Sequence, residues 1–230
     1  MYRKFVNARS PLRLLEKGLH GGLGIGNVGL VVAGHGVGKT SFLVGVALDE
    51  LLRQGSVLHV SLGKTVSHVR AYYDTVYEEL ASSTHLDDAA ATHAEIDRHR
   101  SIRAYSPSSF STEKLRDAVK VESEAGVKPS LIVIEGVGVD EITRDDVQAL
   151  CALAVELAAE IWISVATSGE QVSKIPEAVE PFSDLISVVL ALEPSQDGNL
   201  ALRALKDHDN EDLSALHVAL DPQSLLLVRN

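Results

Sequence analysis

Cysteine is close to absent from this chain: Cys151 stands alone among 230 residues. That excludes an intrachain disulfide and any zinc cage built from thiolates, and it fits a reducing compartment. Aromatic residues are also scarce, at 4% of the chain, and the basic residues are dispersed, which argues against a stacking platform for single-stranded nucleic acid. Positive charge is in deficit: 21 Lys and Arg face 32 Asp and Glu, for a net charge of −11. A surface-wide polyanion footprint is thereby excluded, leaving at most a local basic patch. No apolar run approaches the roughly 18–20 residues that cross a bilayer. The start, Met1-Tyr2-Arg3-Lys4-Phe5, is not followed by the apolar stretch of a secretory signal. The expectation is a soluble, cytoplasmic protein with no membrane insertion and with nucleic acid disfavoured as a partner.

Apolar residues make up 45% of the chain, ordinary for a globular protein, and the length lies below the roughly 250–300 residues at which single cores stop growing. One domain over 1–230 is expected, with 1–14 as an N-terminal arm. Arg3, Lys4, Arg9 and Arg13 make that arm the one locally basic segment. It reads either as a docking arm for a neighbouring subunit or partner, or as an unstructured tail.

Short apolar runs alternate with longer amphipathic segments, the pattern of a parallel sheet covered by helices. The spacing predicts strands over 28–33, 57–62, 102–105, 131–134 and 161–166. Helices are predicted over 39–53, ended by Gly55, then over 65–80 and, with weaker patterning, 84–98. Ser111-Thr112-Glu113 opens a helix to 124, and Thr143 with Asp145 and Asp146 caps another that reaches 159. The last third holds strand-like runs over 185–192, 200–205, 216–220 and 225–228, linked by turns such as Pro194-Ser195-Gln196-Asp197-Gly198. Links that short suit antiparallel hairpins at the edge of the parallel sheet. The expected fold class is α/β: a mostly parallel central sheet flanked by helices, closed by antiparallel strands.

The strongest chemical signal is Ala33-Gly34-His35-Gly36-Val37-Gly38-Lys39-Thr40, followed by Ser41 and lying directly between an apolar strand and an apolar helix. In that context a glycine-rich turn aims successive backbone N–H groups at a phosphate, and the helix N-terminus adds its positive end. A lysine at position 39 reaches the outer phosphates and the Thr40 hydroxyl ligates magnesium. Gly34, His35, Gly36, Val37, Gly38, Lys39, Thr40 and Ser41 are therefore the candidate nucleotide-binding residues. A magnesium ion also needs an acidic residue at the end of another strand, and Glu135, closing Leu131-Ile132-Val133-Ile134, stands there. With one methylene more than the usual Asp, Glu135 either shifts the metal geometry or also orients the attacking water. The plain alternative is a carboxylate that ends a strand at the wet edge. Lys39 and Glu135 are the candidate catalytic residues, and Thr40 and Glu135 the candidate metal ligands.

Other features have structural readings. His93 and Asp97 share a helix face at i, i+4, with Asp88 and His99 near them, but charged residues alternating with small ones are more often a solvated helix than a metal site. Cys151 among Leu150, Ala152 and Leu153 reads as a small buried residue, Trp162 as core, and Tyr73 and Tyr77, one turn apart with Tyr72 beside them, as packing.

From Leu15 to Asn230 the sequence resembles the RecA-like P-loop ATPases, in their KaiC-like branch. The phosphate loop carries most of the likeness, with Gly21-Gly22-Leu23 and Gly26-Asn27 as a lead-in. Phe182-Ser183-Asp184-Leu185-Ile186 and Leu202-Arg203-Ala204-Leu205-Lys206 are similar to the closing β-meander. The resemblance implies ATP or ADP with magnesium as cofactors, and assembly with copies of itself or a partner protein, nucleotide lying at subunit interfaces. Lys206 and His208 then become candidate inter-subunit residues. Three departures weaken the catalytic part. Where relatives carry a water-activating Glu after the second core strand, this chain reads Ser61-Leu62-Gly63-Lys64; where they carry Lys-x-Arg, it reads Lys206-Asp207-His208; and Thr167-Ser168 stands in place of a sensor Gln, with Gln171 three residues on. An arginine finger contributes about 10³–10⁵ in rate and a general base about 10²–10⁴. The expectation is an ATP-binding regulatory or assembly switch with weak or absent hydrolysis. The alternatives are a competent oligomeric ATPase using Glu135 and groups from a neighbouring subunit, and, less favoured, a DNA-binding recombination-type ATPase.

Overall fold

A computed structural model of the chain describes residues 2–8, 10–138, 140–169 and 171–229. Its apolar runs become strands buried along their whole length: β1 (Val28–Gly34) and β2 (Val57–Leu62) are covered at every residue, as strands between two helical layers must be. β3 (Arg100–Tyr105), β4 (Leu131–Gly138) and β5 (Glu160–Thr167) join them, followed by β6 (Val188–Pro194), β7 (Leu200–Asp207), β8 (Val218–Leu220) and β9 (Leu227–Arg229). These nine form one sheet in the order β3-β2-β4-β5-β1-β6-β7-β8-β9. The first six pair in parallel and the last three antiparallel.

Strand alternation assigns each residue to a layer. Val31, Ala33, Val133, Trp162 and Leu190 face α3 (Lys39–Leu52), α4 (Val66–Thr84) and α5 (Ala89–His99), with Phe42 packed edge-on against Trp162 at 5.7 Å. Leu30, Val32, Ile132, Ile134 and Ile163 face α6 (Thr112–Glu124) and α7 (Arg144–Leu157). The crossovers moving outward from β1 thus carry helices on one face and those moving back carry them on the other, the arrangement that right-handed connections impose. The caps are those the sequence marks: Thr65 accepts from His68 N–H, Ser111 from Lys114 N–H, and Thr143 forms a capping box with Asp146.

Several expected boundaries move for local reasons. The α3 helix ends on Gln54 in the left-handed region (φ +72), not on Gly55. Gly55 is needed for a different purpose, since a Cβ there would lie 2.0 Å from Glu50 Oε1 and 2.7 Å from Ser130 Oγ. The second helix runs on to Thr84, and the segment expected over 84–98 begins only at Ala89, because His85 and Asp88 both take positive φ. In the last third, Glu180–Leu185 winds into a 3-10 turn where the sequence suggests the start of a strand. The strand that follows is a full parallel partner of β1, so the antiparallel addition begins one strand later than expected. Leu225 adopts φ +60 in the final turn, which shortens the last strand to Leu227–Arg229.

The N-terminal arm is neither free nor extended. It forms α1 (Arg3–Ala8) and α2 (Leu12–Gly18), packed on the chain's own α3. Arg3 donates to the carbonyls of Leu51 and Leu52, both at 2.7 Å, capping the end of that helix, while Arg13 pairs with Glu16 and Asp49. Arg9 lies outside the described residues. No helix among the described residues is long and apolar enough to cross a membrane.

Glu160 opens β5 facing Glu50, Glu16 and Asp49, and accepts from Gly24 N–H at 3.1 Å. Burial first, then the neighbouring carboxylates, push it up to about 7. A carboxyl bound more tightly to its proton when folded stabilises the fold at low pH, and that contribution is lost as pH rises from about 4.5 through 7. Glu160→Gln keeps the Gly24 contact and removes the charge. It should raise the melting temperature by about 2–4 °C at pH 8 and change it little at pH 5, as followed by circular dichroism.

Candidate functional site

The carboxyl ends of β1, β2, β4 and β5 open onto a cleft of about 760 Å³, within the usual range for small-molecule sites. It lies at a switch point: the chain leaves β1 toward one helical layer and adjacent β5 toward the other, and open α/β sheets hold ligands in such crevices. The floor is His35–Ser41; the walls include Leu62, Lys64, His68 and Tyr72 on one side, Glu135–Gly138 behind, and Leu200, Leu220, Pro222 and Leu225 on the other.

The loop's shape depends on its glycines. Gly36 and Gly38 take φ of +77° and +91°, and a Cβ on Gly38 would press into Leu220 and Leu200 at 2.8 and 2.9 Å. Helix α3 closes its first backbone bond from Phe42 N–H to the Gly38 carbonyl at 3.0 Å, so the N–H groups ahead of it are the orphan donors of a helix start. Ser41 lines the cleft with 1% exposure, and its hydroxyl has no partner among the described residues. Those orphan donors fit a bound phosphate. Lys39 folds back onto the carbonyls of Ala33 (2.8 Å) and Gly34 (2.6 Å); burial, then the charge of Lys64, lowers it to about 8. Gly34 ends β1, buried, and contributes that carbonyl instead of a cleft wall. Val37 is buried, and His35 stands exposed at the mouth.

Glu135 does not end its strand at the wet edge. It lies inside β4, 2% exposed, in register with Ser61 of β2. The strand continues through a bulge at Gly136, where φ is +86° and a Cβ would stand 2.3 Å from the Leu62 carbonyl oxygen. A bulge at that point re-aims the strand beside the site. The carboxylate is held from every side. Oε2 accepts from Thr40 Oγ1 at 2.8 Å and Lys64 Nζ at 2.9 Å, Oε1 from Ser61 Oγ at 3.0 Å, and His59 Nε2 lies 3.4 Å away. Tyr73 Oη lies 3.0 Å from His59 Nδ1; with the tyrosine hydroxyl donating, the imidazole proton is on Nε2, facing Glu135. Burial works to raise the Glu135 carboxyl, but His59 and Lys64 outweigh it and hold it well below the usual carboxylate range. Thr40 and Glu135 together are a hydroxyl and a carboxylate, the hard donors magnesium prefers, although Lys64 already sits against both.

The sequence signal for this support was present. His59 and Ser61, two apart on one face of an otherwise apolar strand, are polar residues that burial forces to find partners. Lys64 carried no motif, because its partner Glu135 is brought to it only by the β2–β4 pairing.

Other candidates are placed elsewhere. Gly63 turns with φ +95° and donates to the Tyr105 carbonyl, a backbone shape that a Glu rarely adopts. Thr167 bonds to Gly169, leaving Ser164 and Ala166 as the β5 residues in the cleft, and Gln171 does not line it. Lys206 and His208 lie at the opposite end of the strands from the chain's own glycine loop, toward the amino ends of β1 and β6. Lys206 donates to the Ser183 carbonyl, and His208 contacts Asp207 and the Leu23 carbonyl. His93 meets Asp74 at 3.0 Å, Asp97 pairs with Arg100 and Arg70, and no metal-binding group of three ligands occurs among the described residues. Trp162, Tyr73 and Tyr77 are core, Tyr72 lines the cleft, and Cys151 is half-buried with its thiol on the Leu185 carbonyl.

Compared with family models and with curated proteins, the sequence matches none.

Gly136→Ala combines a positive φ with a collision against backbone, so it should cost about 2–4 kcal/mol of stability in urea unfolding. Gly36→Ala, where a Cβ meets open space, should cost only the 1–2 kcal/mol or so of its φ.

Proposed function

We propose that the chain is a nucleotide-binding protein of the RecA-like, KaiC-like kind, taking ATP or ADP with its phosphates on the His35–Ser41 loop and acting as a regulatory or assembly switch with slow hydrolysis. The observation that carries this reading is the hydrogen bond from Thr40 to Glu135, 2.8 Å long, across a glycine loop that ends in Lys39 at the start of α3. It joins residues 95 positions apart into the pair that a phosphate-bound cation requires. Thr40 and Glu135 form the position for a positive charge beside the phosphates, whose contribution there is to neutralise charge on the outer phosphate oxygens.

Slow turnover follows from the carboxylates. A general base works best when its pKa lies near the working pH, whereas Glu135 is held far into its ionised form by His59 and Lys64. Glu141, the second carboxylate lining the cleft among the described residues, accepts from Gly138 N–H at 3.1 Å. At the position of the expected base stands Gly63. What remains is positioning: Lys39 and the loop N–H groups grip phosphate, and water lacks an activating group among the described residues. Assembly, with copies of itself or a partner protein, rests on the resemblance.

Calorimetric titration with ATP and ADP in magnesium should detect binding to the wild type. Lys39→Ala should weaken it by about 10- to 100-fold, the range for losing a charged hydrogen bond. Light scattering in each nucleotide state should show a change of mass. Turnover by the purified protein should fall well below about 1 s⁻¹, the low end for working enzymes. Faster turnover, abolished by Lys39→Ala, would replace this reading with that of a competent oligomeric ATPase.

A further inference from the structure

The cation position between Thr40 and Glu135 is taken by the chain's own Lys64. Its ammonium donates to Thr40 Oγ1 at 2.6 Å and to Glu135 Oε2 at 2.9 Å, while those two oxygens are themselves hydrogen-bonded. The backbone aims it there. Gly63 turns in the left-handed region with its N–H on Tyr105, which sends the next residue inward, and Thr65 immediately caps α4. The ammonium also lies 5.8 Å from the ring centroid of Tyr72, another cleft residue. Over a third of the side chain remains open to solvent, so the ammonium faces the cleft and is not sealed beneath it.

Two cations cannot share these donors. A divalent ion needs oxygens at about 2.0–2.1 Å in an octahedral shell, and the Lys64 ammonium, 2.6 and 2.9 Å from Thr40 Oγ1 and Glu135 Oε2, occupies the place between those oxygens. The electrostatics agree: Lys64 is close enough to contribute to the lowering of Lys39, so two lysines already converge on the volume a polyphosphate would fill.

We propose that Lys64 is a tethered counter-cation, its ammonium serving in place of a divalent metal between Thr40 and Glu135, so that the cleft holds a nucleotide polyphosphate without metal. This rests on the nucleotide reading above and assigns the charge balance of that same site. Lys39 and Lys64 flank the phosphates, Glu135 anchors Lys64, and added divalent ion competes with Lys64 instead of completing the site. Gly63 stands where a base after β2 is expected and the next residue, Lys64, supplies the cation, which favours holding nucleotide over hydrolysing it.

The test is calorimetric titration of the full chain with ATP, once in EDTA and once in excess magnesium, for the wild type, Lys64→Ala and Lys64→Met. Lys64→Met keeps the stem against Tyr72, and circular dichroism melts establish that both variants are folded. The wild type should bind in EDTA within about threefold of its affinity in magnesium, and both variants should lose at least about tenfold in EDTA and recover with magnesium. Electron paramagnetic resonance with manganese and ADP should then show bound manganese in Lys64→Met and much less in the wild type. A wild type that needs magnesium by tenfold or more, with variants that behave identically, overturns the proposal and leaves the nucleotide reading standing. A wild type that binds ATP in neither condition overturns both.

Discussion

A carboxylate buried beneath the His35–Ser41 glycine loop is the constraint on which the rest of this structure turns. Glu135 is removed from water in the middle of a strand, and an ionised group so placed is costly unless its oxygens are filled by donors. Three elements supply them: α3 through Thr40, β2 through Ser61 and His59, and the β2–α4 turn through Lys64, while Tyr73 of α4 backs His59. Arg100 closes the chain from β3, its guanidinium 4.5 Å from the centre of the Tyr73 ring. The Tyr73 hydroxyl is fully buried, which pushes its pKa up and keeps it a donor. One acidic side chain thus ties together the elements that shape the cleft.

That arrangement sets what the site can do chemically. The donors that make Glu135 affordable as an ion also make it a weak base, because each favours the charged form. The same contacts hold the loop, the β4 bulge and the start of α4 in one geometry, with Gly136 packed against the Leu62 carbonyl. In the nucleotide reading proposed above, such a pocket is preorganised to receive an anion and poorly equipped to deprotonate water. The antiparallel strands complete it from the other side, where Leu200 and Leu220 press beneath Gly38. The closing hairpins therefore act as a floor under the phosphate loop as well as an edge to the sheet.

Much of this could be read from the residues themselves. The alternation of apolar runs with amphipathic segments specified the layers, and the caps at Thr65, Ser111 and Thr143 appear where the cap chemistry puts them. The errors came where a local signal had two physical meanings. Gly55 suggested a left-handed helix end, yet it is required because Glu50 and Ser130 crowd it, and Gln54 bears the strain. The apolar run over 185–192 suggested an edge hairpin, yet its pairing with β1 depends on a crossover that no short-range pattern encodes. The basic arm read either as a docking arm or as an unstructured tail, and the tail reading fails because the carbonyl end of α3 and Asp49, which no short-range pattern reveals, lie within its reach.

The sequence by itself determined the glycine-rich turn between β1 and α3, the two helical layers and the antiparallel close, because each depends on neighbours a few residues apart: glycine freedom, helical or strand period, short links between strands. Only the tertiary structure decided the state of Glu135 and the role of Lys64. Both arise from strands far apart in the chain and side by side in the sheet, where register brings Ser61 opposite Glu135 and a turn residue with no motif of its own meets the carboxylate. Charge acts through space and falls off with distance, so a lysine gains its meaning from the fold that places it.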